Sequence, residues 1–295
     1  MPRLPHSLLL LSATLLATSA SAGEFGYLQS AETLPEGALE VIQSVTRRAD
    51  KGYGDYEAYD FLTKLEYGVT DKFTIEGGLR AQSIDTSGLL IDGYMPGDEK
   101  YSAQFSGFEI EAKYKFLNTA EHDLGLSSYW GLNYSSKDPH SGQDKRTVSL
   151  ETGLLAQKYF LEGQMVWLGN IGLEATHATR DEIQGLPEGF EWPTDPEVEL
   201  EFKVGTGLSY RIVQNWYIAA EVIYEEEHET EVGKERYSLF AGPSIHYSSK
   251  KWWMTLSYLE QINGGGEKFD EQDDSNLHLI EKTKDEVRLK FGLNF

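Results

Sequence analysis

The chain ends Val287-Arg288-Leu289-Lys290-Phe291-Gly292-Leu293-Asn294-Phe295. Val287, Leu289, Phe291, Leu293 and Phe295 share one parity; Arg288, Lys290, Gly292 and Asn294 share the other. Successive side chains of a strand project to opposite sides, so this strict period of two describes a strand with one oily and one wet face. Upstream of it, the same alternation recurs. The pattern predicts about twelve strands, near 38–48, 56–69, 73–83, 106–118, 123–135, 146–160, 165–178, 197–211, 215–225, 236–248, 252–262 and 278–295. Short connections fall at 70–72, 119–122, 161–164, 212–214 and 249–251. Longer polar ones fall at 49–55, 84–105, 136–145, 179–196, 226–235 and 263–277. Tight turns at one rim, long loops at the other and an even strand count predict an all-β, transmembrane antiparallel up-and-down β-barrel. Both termini then belong to the short-turn, periplasmic rim.

The other end of the chain is consistent with that address. Arg3, the apolar run Leu8–Leu16 and the small residues Ala20-Ser21-Ala22 predict a cleaved secretory signal over 1–22, leaving 23–295 as one barrel domain. Residues 23–295 contain no apolar run of about 18 residues, so no transmembrane helix is available. Cysteine is absent, which excludes disulfides and thiolate metal sites. Arg3 is the one charged residue of 1–22, so one fewer than the 26 basic residues and all 48 acidic residues remain, a formal −23. Nucleic-acid binding needs Lys and Arg to neutralise phosphate, and this balance argues against it.

Three further patterns favour a membrane barrel over a soluble sandwich. Pro35, Pro96, Pro139, Pro187, Pro193 and Pro196 all lie outside the predicted strands, as a closed sheet without edges requires. Pro243 departs from the rule and predicts a bulge or kink. Aromatics gather at the short-turn end of the oily face: Tyr67, Phe73, Phe116, Phe160, Trp167, Tyr210, Trp216, Tyr247, Trp252 and Phe295. Bilayer interfaces favour such a girdle, since these rings combine an apolar body with a polar tip. Finally, the opposite parity is too polar for a dry core. Phe108, Ile110, Ala112, Tyr114 and Phe116, for example, alternate with Glu109, Glu111, Lys113 and Lys115.

With these residues in view, the chain resembles a gram-negative outer-membrane β-barrel protein, porin-like and of an uncharacterised family. Gly26-Tyr27 and Ala31–Gly37 resemble the entry segment of such proteins, Leu65–Phe73 their first hairpin, Gly242–Tyr247 a wall strand, and Phe295 their terminal aromatic signal. The resemblance implies an outer-membrane location, contact with lipid and lipopolysaccharide, and recognition of the C-terminal strand by the barrel-assembly machinery. It carries over no catalytic, cofactor or ligand residue.

Chemistry is therefore sought in the lumen. The inward parity predicts lining by Lys64, Glu66, Glu76, Arg80, Glu111, Lys113, Glu151, Glu174, Glu201, Lys203, Glu221, Arg288 and Lys290. These are either structural ion ladders or the wall of a selective polar conduit. Pairing Val69 with Phe73 would set Glu66 against Glu76 with Lys64 diagonal; pairing Tyr210 with Trp216 would bring Lys203 near Glu221. Arg288 and Lys290 would pair with Glu286 or Glu40. Inward glycines, among them Gly172, Gly205, Gly207 and Gly292, would leave space and favour a conduit. The longer connections hold most of the net negative charge, densest at Glu226–Glu231 and Asp270–Asp274. Such runs are possible sites for divalent cations, which prefer carboxylate oxygens, or simply a solvated outer surface, and an acidic mouth predicts mild cation selectivity.

Catalysis would need an activated serine. His246 with Ser244 or Ser248 shows only the i, i+2 spacing that any strand provides, and Thr176 and His177 are merely sequence neighbours, so no enzyme, cofactor or metal centre is predicted. Ser128 falls on the lipid parity, as does Lys158 near the periplasmic rim, where it can snorkel; in the first strand Gln43 falls on the lipid parity and Ile42 on the inward one, which predicts a bulge or register shift there. The reading is a narrow channel for small solutes, or alternatively a non-conducting barrel acting through its acidic loops.

Overall fold

The computed structural model describes residues 23–91, 94–97, 99–181, 194–230, 233–266 and 276–295. The expected signal over 1–22, most of loop 179–196 and the Asp270–Asp274 run lie outside them.

The wall strands are β1 (Leu39–Ala49), β2 (Asp55–Thr70), β3 (Phe73–Ser87), β6 (Lys100–Leu117), β7 (Gly125–Ser135), β8 (Lys145–Phe160), β9 (Met165–Arg180), β10 (Glu197–Val213), β11 (Trp216–Glu229), β12 (Gly233–Ser248), β13 (Trp252–Gly266) and β14 (Asp285–Asn294). A small ribbon of β4 (Leu89–Ile91) and β5 (Tyr94–Gly97) lies between β3 and β6. Every wall strand is antiparallel to its neighbours, and the sheet closes by pairing β14 with β1, from Glu40 opposite Asn294 to Ala49 opposite Asp285. Phe295 donates its backbone N–H to the Leu39 carbonyl at 2.8 Å. This closed barrel of twelve strands is the expected fold.

Burial explains the alternation. On the outer face Leu79, Leu150, Ile110, Leu173 and Leu200 are 54–64% exposed, whereas the alternate residues turn inward and are buried. A belt of exposed leucine and isoleucine around a whole molecule is far beyond the apolar patch that a water-soluble monomer carries; hydrocarbon is the solvent that suits it. At the short-turn rim the outer aromatics touch in sequence, Trp216–Tyr247 (5.0 Å between centroids), Tyr247–Trp252 (4.8 Å) and Trp252–Phe291 (5.9 Å).

Several local expectations need correction. No bulge occurs in β1: its register is continuous with both neighbours, and Ile42 is buried inside. Gln43 remains outside because Thr63 donates to its Oε1 (2.7 Å) and its Nε2 donates to the Leu62 carbonyl (3.2 Å), so its polar atoms are satisfied within the sheet. At Pro243 the β12–β13 ladder skips Gly242 and Pro243 without changing register; the shift lies earlier, between Leu239 and Phe240. Residues 226–235 are not a long loop. β11 runs through Glu229 and β12 starts at Gly233, so Glu225 and Glu227 belong to the wall. The last strand begins at Asp285, because 278–284 leave the wall and fold inward.

Two bulges reset registers at the short-turn rim. Tyr210 pairs with Ile218 rather than Trp216, owing to an irregularity between Arg211 and Val213, so Lys203 faces Glu225 and Glu221 faces Gly207. In the first hairpin Thr70 pairs with Phe73 through a shift after Gly68, yet Glu66 does oppose Glu76.

Candidate functional site: a lumen closed from both ends

Residues Gly23–Leu34 do not hang below the barrel. They enter it. Glu24, Phe25, Leu28, Ser30 and Ala31 are all at most 6% exposed. The sequence permits this because its apolar residues meet a matching wall: Phe25 and Leu28 pack with Val166, Leu168, Ala219, Ile223, Phe240 and Leu259. Burying two such side chains contributes roughly 2 kcal/mol each. The inward glycines are the reverse of free space. A Cβ on Gly205 would approach Leu28 Cδ2 to 2.4 Å, and one on Gly207 would approach Phe25 Cε1 to 2.6 Å. Gly172 and Gly292 likewise accommodate the Tyr129 hydroxyl and the Trp253 ring.

A buried chain also needs partners for its backbone. Glu221 accepts the N–H groups of Gly26 (2.9 Å), Tyr27 (3.0 Å) and Leu28 (3.1 Å). Asn170 accepts from Gln29 N–H (2.7 Å) and donates to the Gln29 carbonyl (2.8 Å). Gln157 accepts from the Ser30 hydroxyl (2.6 Å), and Lys115 reaches Glu32 at 2.9 Å. Arg288 donates to the Gly26 carbonyl (3.2 Å) and lies 3.6 Å over the Tyr27 ring, while Lys290 donates to the Phe25 carbonyl (3.4 Å). Among the described residues neither cation forms the expected ion pair with Glu286 or Glu40; the N-terminal segment takes their place.

The long-loop end is closed differently. Lys51 Nζ donates to the Ile280 (2.7 Å) and Glu281 (2.9 Å) carbonyls. Ile280 packs with Tyr56, Ala58 and Ile84. The Pro139 carbonyl accepts from Arg48 (2.6 Å), Tyr56 (2.9 Å) and Gln82 (3.2 Å), drawing in the 136–144 loop. Arg236 binds Glu281 at 2.6 Å, Glu201 at 3.2 Å, and Glu227. A bulge after Glu227 leaves Glu235 unpaired, and the carboxylates of Glu227, Glu235 and Glu281 come within 4.8 Å of one another. Their spacing suits a cation, and the Arg236 guanidinium already binds two of them. In the loop, burial lowers the His278 pKa to about 4 against the pull of Glu281. Burial pushes Glu281 up, but Arg236 and His278 outweigh it and hold it at about 2.

Between these closures lies a polar middle. Arg80, Lys203 and Asp60 side chains retain 44%, 41% and 39% exposure inside a closed barrel, which requires water-sized space around them. Lys64 binds Glu76 (2.6 Å), Arg80 binds Glu109 (2.7 Å), Lys113 lies 3.7 Å from Glu76, and Lys203 lies 3.0 Å from Glu201 and 3.3 Å from Glu225. Glu151 accepts from Tyr129 at 2.8 Å. Glu66, Glu111 and Glu174 complete this level; Glu221 sits lower, on the N-terminal segment. Sequence reading missed Tyr129, Asn170, Gln157, Trp253 and Arg236, whose inward parity was legible but whose partners were not, and Lys51, which lies in a connection and carries no parity. His246 Nδ1 meets Thr255 (2.7 Å) while Ser244 donates to Glu221 (3.1 Å), so His246 and Ser244 are turned to different partners.

Residues 18–295 match the Family of unknown function (DUF6662). The chain belongs to that family. No curated protein matches it. Among solved structures, it is similar to the COG4313 outer membrane channel from Pseudomonas putida F1, with 12% identity, TM-score 0.59, and coverage of 91% of this chain and 99% of that one. It is also similar to the beta domain of the Bordetella autotransporter BrkA, with 13% identity, TM-score 0.52, and coverage of 89% and 100%. At these identities the likeness concerns fold: the DUF6662 chain has the fold of bacterial outer-membrane β-barrels.

Proposed function

We propose that this protein is a narrow channel for small solutes across the outer membrane of a gram-negative bacterium, held closed at rest by its N-terminal segment and its inward loops. Its short turns and both termini face the periplasm, and its aromatic girdle meets the inner-leaflet interface. The observation that carries the reading is the solvent-accessible charged middle between two closures. A barrel serving only as a wall has no need of water-sized space lined by Arg80, Asp60 and Lys203. Twelve strands fall between barrels filled by side chains and open porins, which fits a restricted path. Lipid and lipopolysaccharide surround the wall, and the C-terminal strand is the element offered to the assembly machinery. The neighbour named as an outer membrane channel adds support by analogy.

The alternative, a non-conducting barrel displaying its acidic loops, draws on the dry cluster around Phe25 and Leu28. Liposome swelling separates the two. Purified folded protein should admit small sugars or amino acids at a measurable rate; rates equal to protein-free vesicles for every solute would favour the non-conducting reading.

A further inference from the structure

The groove that holds the N-terminal segment has a chemistry of its own. Buried inward side chains of this barrel are mostly polar or charged. Val166 and Leu168 on β9, Ala219 and Ile223 on β11, Phe240 on β12 and Leu259 on β13 depart from this and form one apolar patch, covered by Phe25 and Leu28. Gly205 and Gly207 keep the space in front of it clear of wall side chains: the first atoms that a Cβ on either would meet belong to Leu28 and Phe25.

Three ionisable side chains border the patch, and the segment meets each with a neutral group. Glu221, 1% exposed, accepts the N–H groups of Gly26, Tyr27 and Leu28, and the Ser244 hydroxyl at 3.1 Å. Arg288 and Lys290 on β14 donate to the carbonyls of Gly26 and Phe25. Arg288 also takes the Thr46 hydroxyl at 2.8 Å and the Tyr27 ring. A hydrogen bond between two ions is stronger than one between an ion and a neutral amide. The segment therefore fills the groove with weaker partners than the wall is able to take.

We propose that this groove binds short peptides with apolar side chains and free ends, and that Phe25-Gly26-Tyr27-Leu28 is an internal substitute which such a peptide displaces. The apolar patch takes the side chains, Glu221 the ammonium, and Arg288 with Lys290 the terminal carboxylate. An ammonium brings three N–H donors, the number that Glu221 takes from the segment. A fatty acid would satisfy Arg288 and Lys290 but strip the buried Glu221 of its donors, and an apolar amine would do the reverse. A zwitterion with an apolar body replaces both sets at once. The proposal names the solute class of the channel and rests on that reading for transport, whereas binding requires no conduction.

The test empties the groove without touching the wall. Phe25→Ala with Leu28→Ala in the full chain uncovers the patch, and heat-modifiable gel migration shows that the barrel is folded. Calorimetric titration of this detergent-folded variant should show leucylphenylalanine binding about tenfold or more tighter than glycylglycine, which has the same charged ends and no side chains. Adding Arg288→Gln should weaken leucylphenylalanine about tenfold and leave its C-terminal amide, which lacks the carboxylate, unchanged. In wild type, leucylphenylalanine should open the chain near Phe25 and Leu28 to protease where glycylglycine does not. Equal affinity for the two dipeptides, equal losses for leucylphenylalanine and its amide, or no binding with wild-type proteolysis unchanged overturns the proposal. Dipeptide binding by protein that conducts nothing would refute the channel and keep the groove; sugar permeation without dipeptide binding would do the reverse.

Discussion

Glu221 Oε1 accepts the backbone N–H of Gly26 at 2.9 Å, although 195 residues separate them. Its Oε2 takes the next two N–H groups, so one side chain of β11 fixes three consecutive residues of the N-terminal segment. Removing it as Glu221→Ala leaves three buried donors unpaired, at about 1–3 kcal/mol each. The segment should detach while the barrel, held by its own ladders, stays folded. Protease added to the short-turn side should then cleave near Phe25 and Leu28 in the variant and spare wild type.

A steric route should reach the same end. Gly205→Leu places atoms where the Leu28 Cδ2 methyl now sits, while the nearest wall backbone atom, the Val222 carbonyl oxygen, lies 3.7 Å from an ideal Cβ. The position points inward, so the lipid face is untouched and thermal unfolding of the barrel should change little. The expected signature is raised conductance or swelling rate equal to that of Glu221→Ala, with no additive effect when the two are combined.

At the opposite end, Arg236 neutralises Glu201, Glu227 and Glu281. Arg236→Met leaves buried carboxylates without their partner, a change that typically costs about 3–5 kcal/mol. The prediction is faster hydrogen exchange across 276–284, with β13 and β14 much less affected.

The two closures should answer pH in opposite senses. His278 has a folded pKa near 4, below its usual value near 6.5, because burial disfavours the imidazolium. Its contribution, on the order of 3 kcal/mol, is present above about pH 6.5 and is lost as pH falls through 4. Glu281, held near 2, adds stability that is present above about pH 4.5 and lost as pH falls through 2. Acid should therefore loosen the 276–284 closure, and His278→Gln should remove the part of that response between pH 6.5 and 4. Burial raises Glu24 to about 7. Its contribution is present below about pH 4.5 and is lost as pH rises through 7, so the N-terminal segment should seat more firmly at pH 5 than at pH 8. Limited proteolysis at the two ends across this range reads both.

The wall was legible in the sequence because a barrel has one oily and one wet face, and the terminal alternation from Val287 to Phe295 recurs along most of the wall, β1 with its inward Ile42 and outward Gln43 departing from it. Lys64, Glu66 and Glu76 came out in register since their hairpin is short. Lys203 was misplaced because a bulge near Val213 changes pairing without changing alternation. The N-terminal segment was hidden for another reason. Phe25 and Leu28 have no periodic signal of their own, and the glycines that receive them, Gly205 and Gly207, read as vacancy until the occupant is seen. Glu226–Glu231 looked like a loop because its charge density masked the continuing period of two.

The central claim is that a conducting lumen is governed by its own N-terminal segment. Single-channel recording of wild type beside Glu221→Ala, in the same bilayer and salt, tests it most directly. The account predicts small or infrequent steps from wild type and larger, longer openings from the variant. Conductance that is identical in both, or absent from both with the barrel shown to be folded, would contradict it.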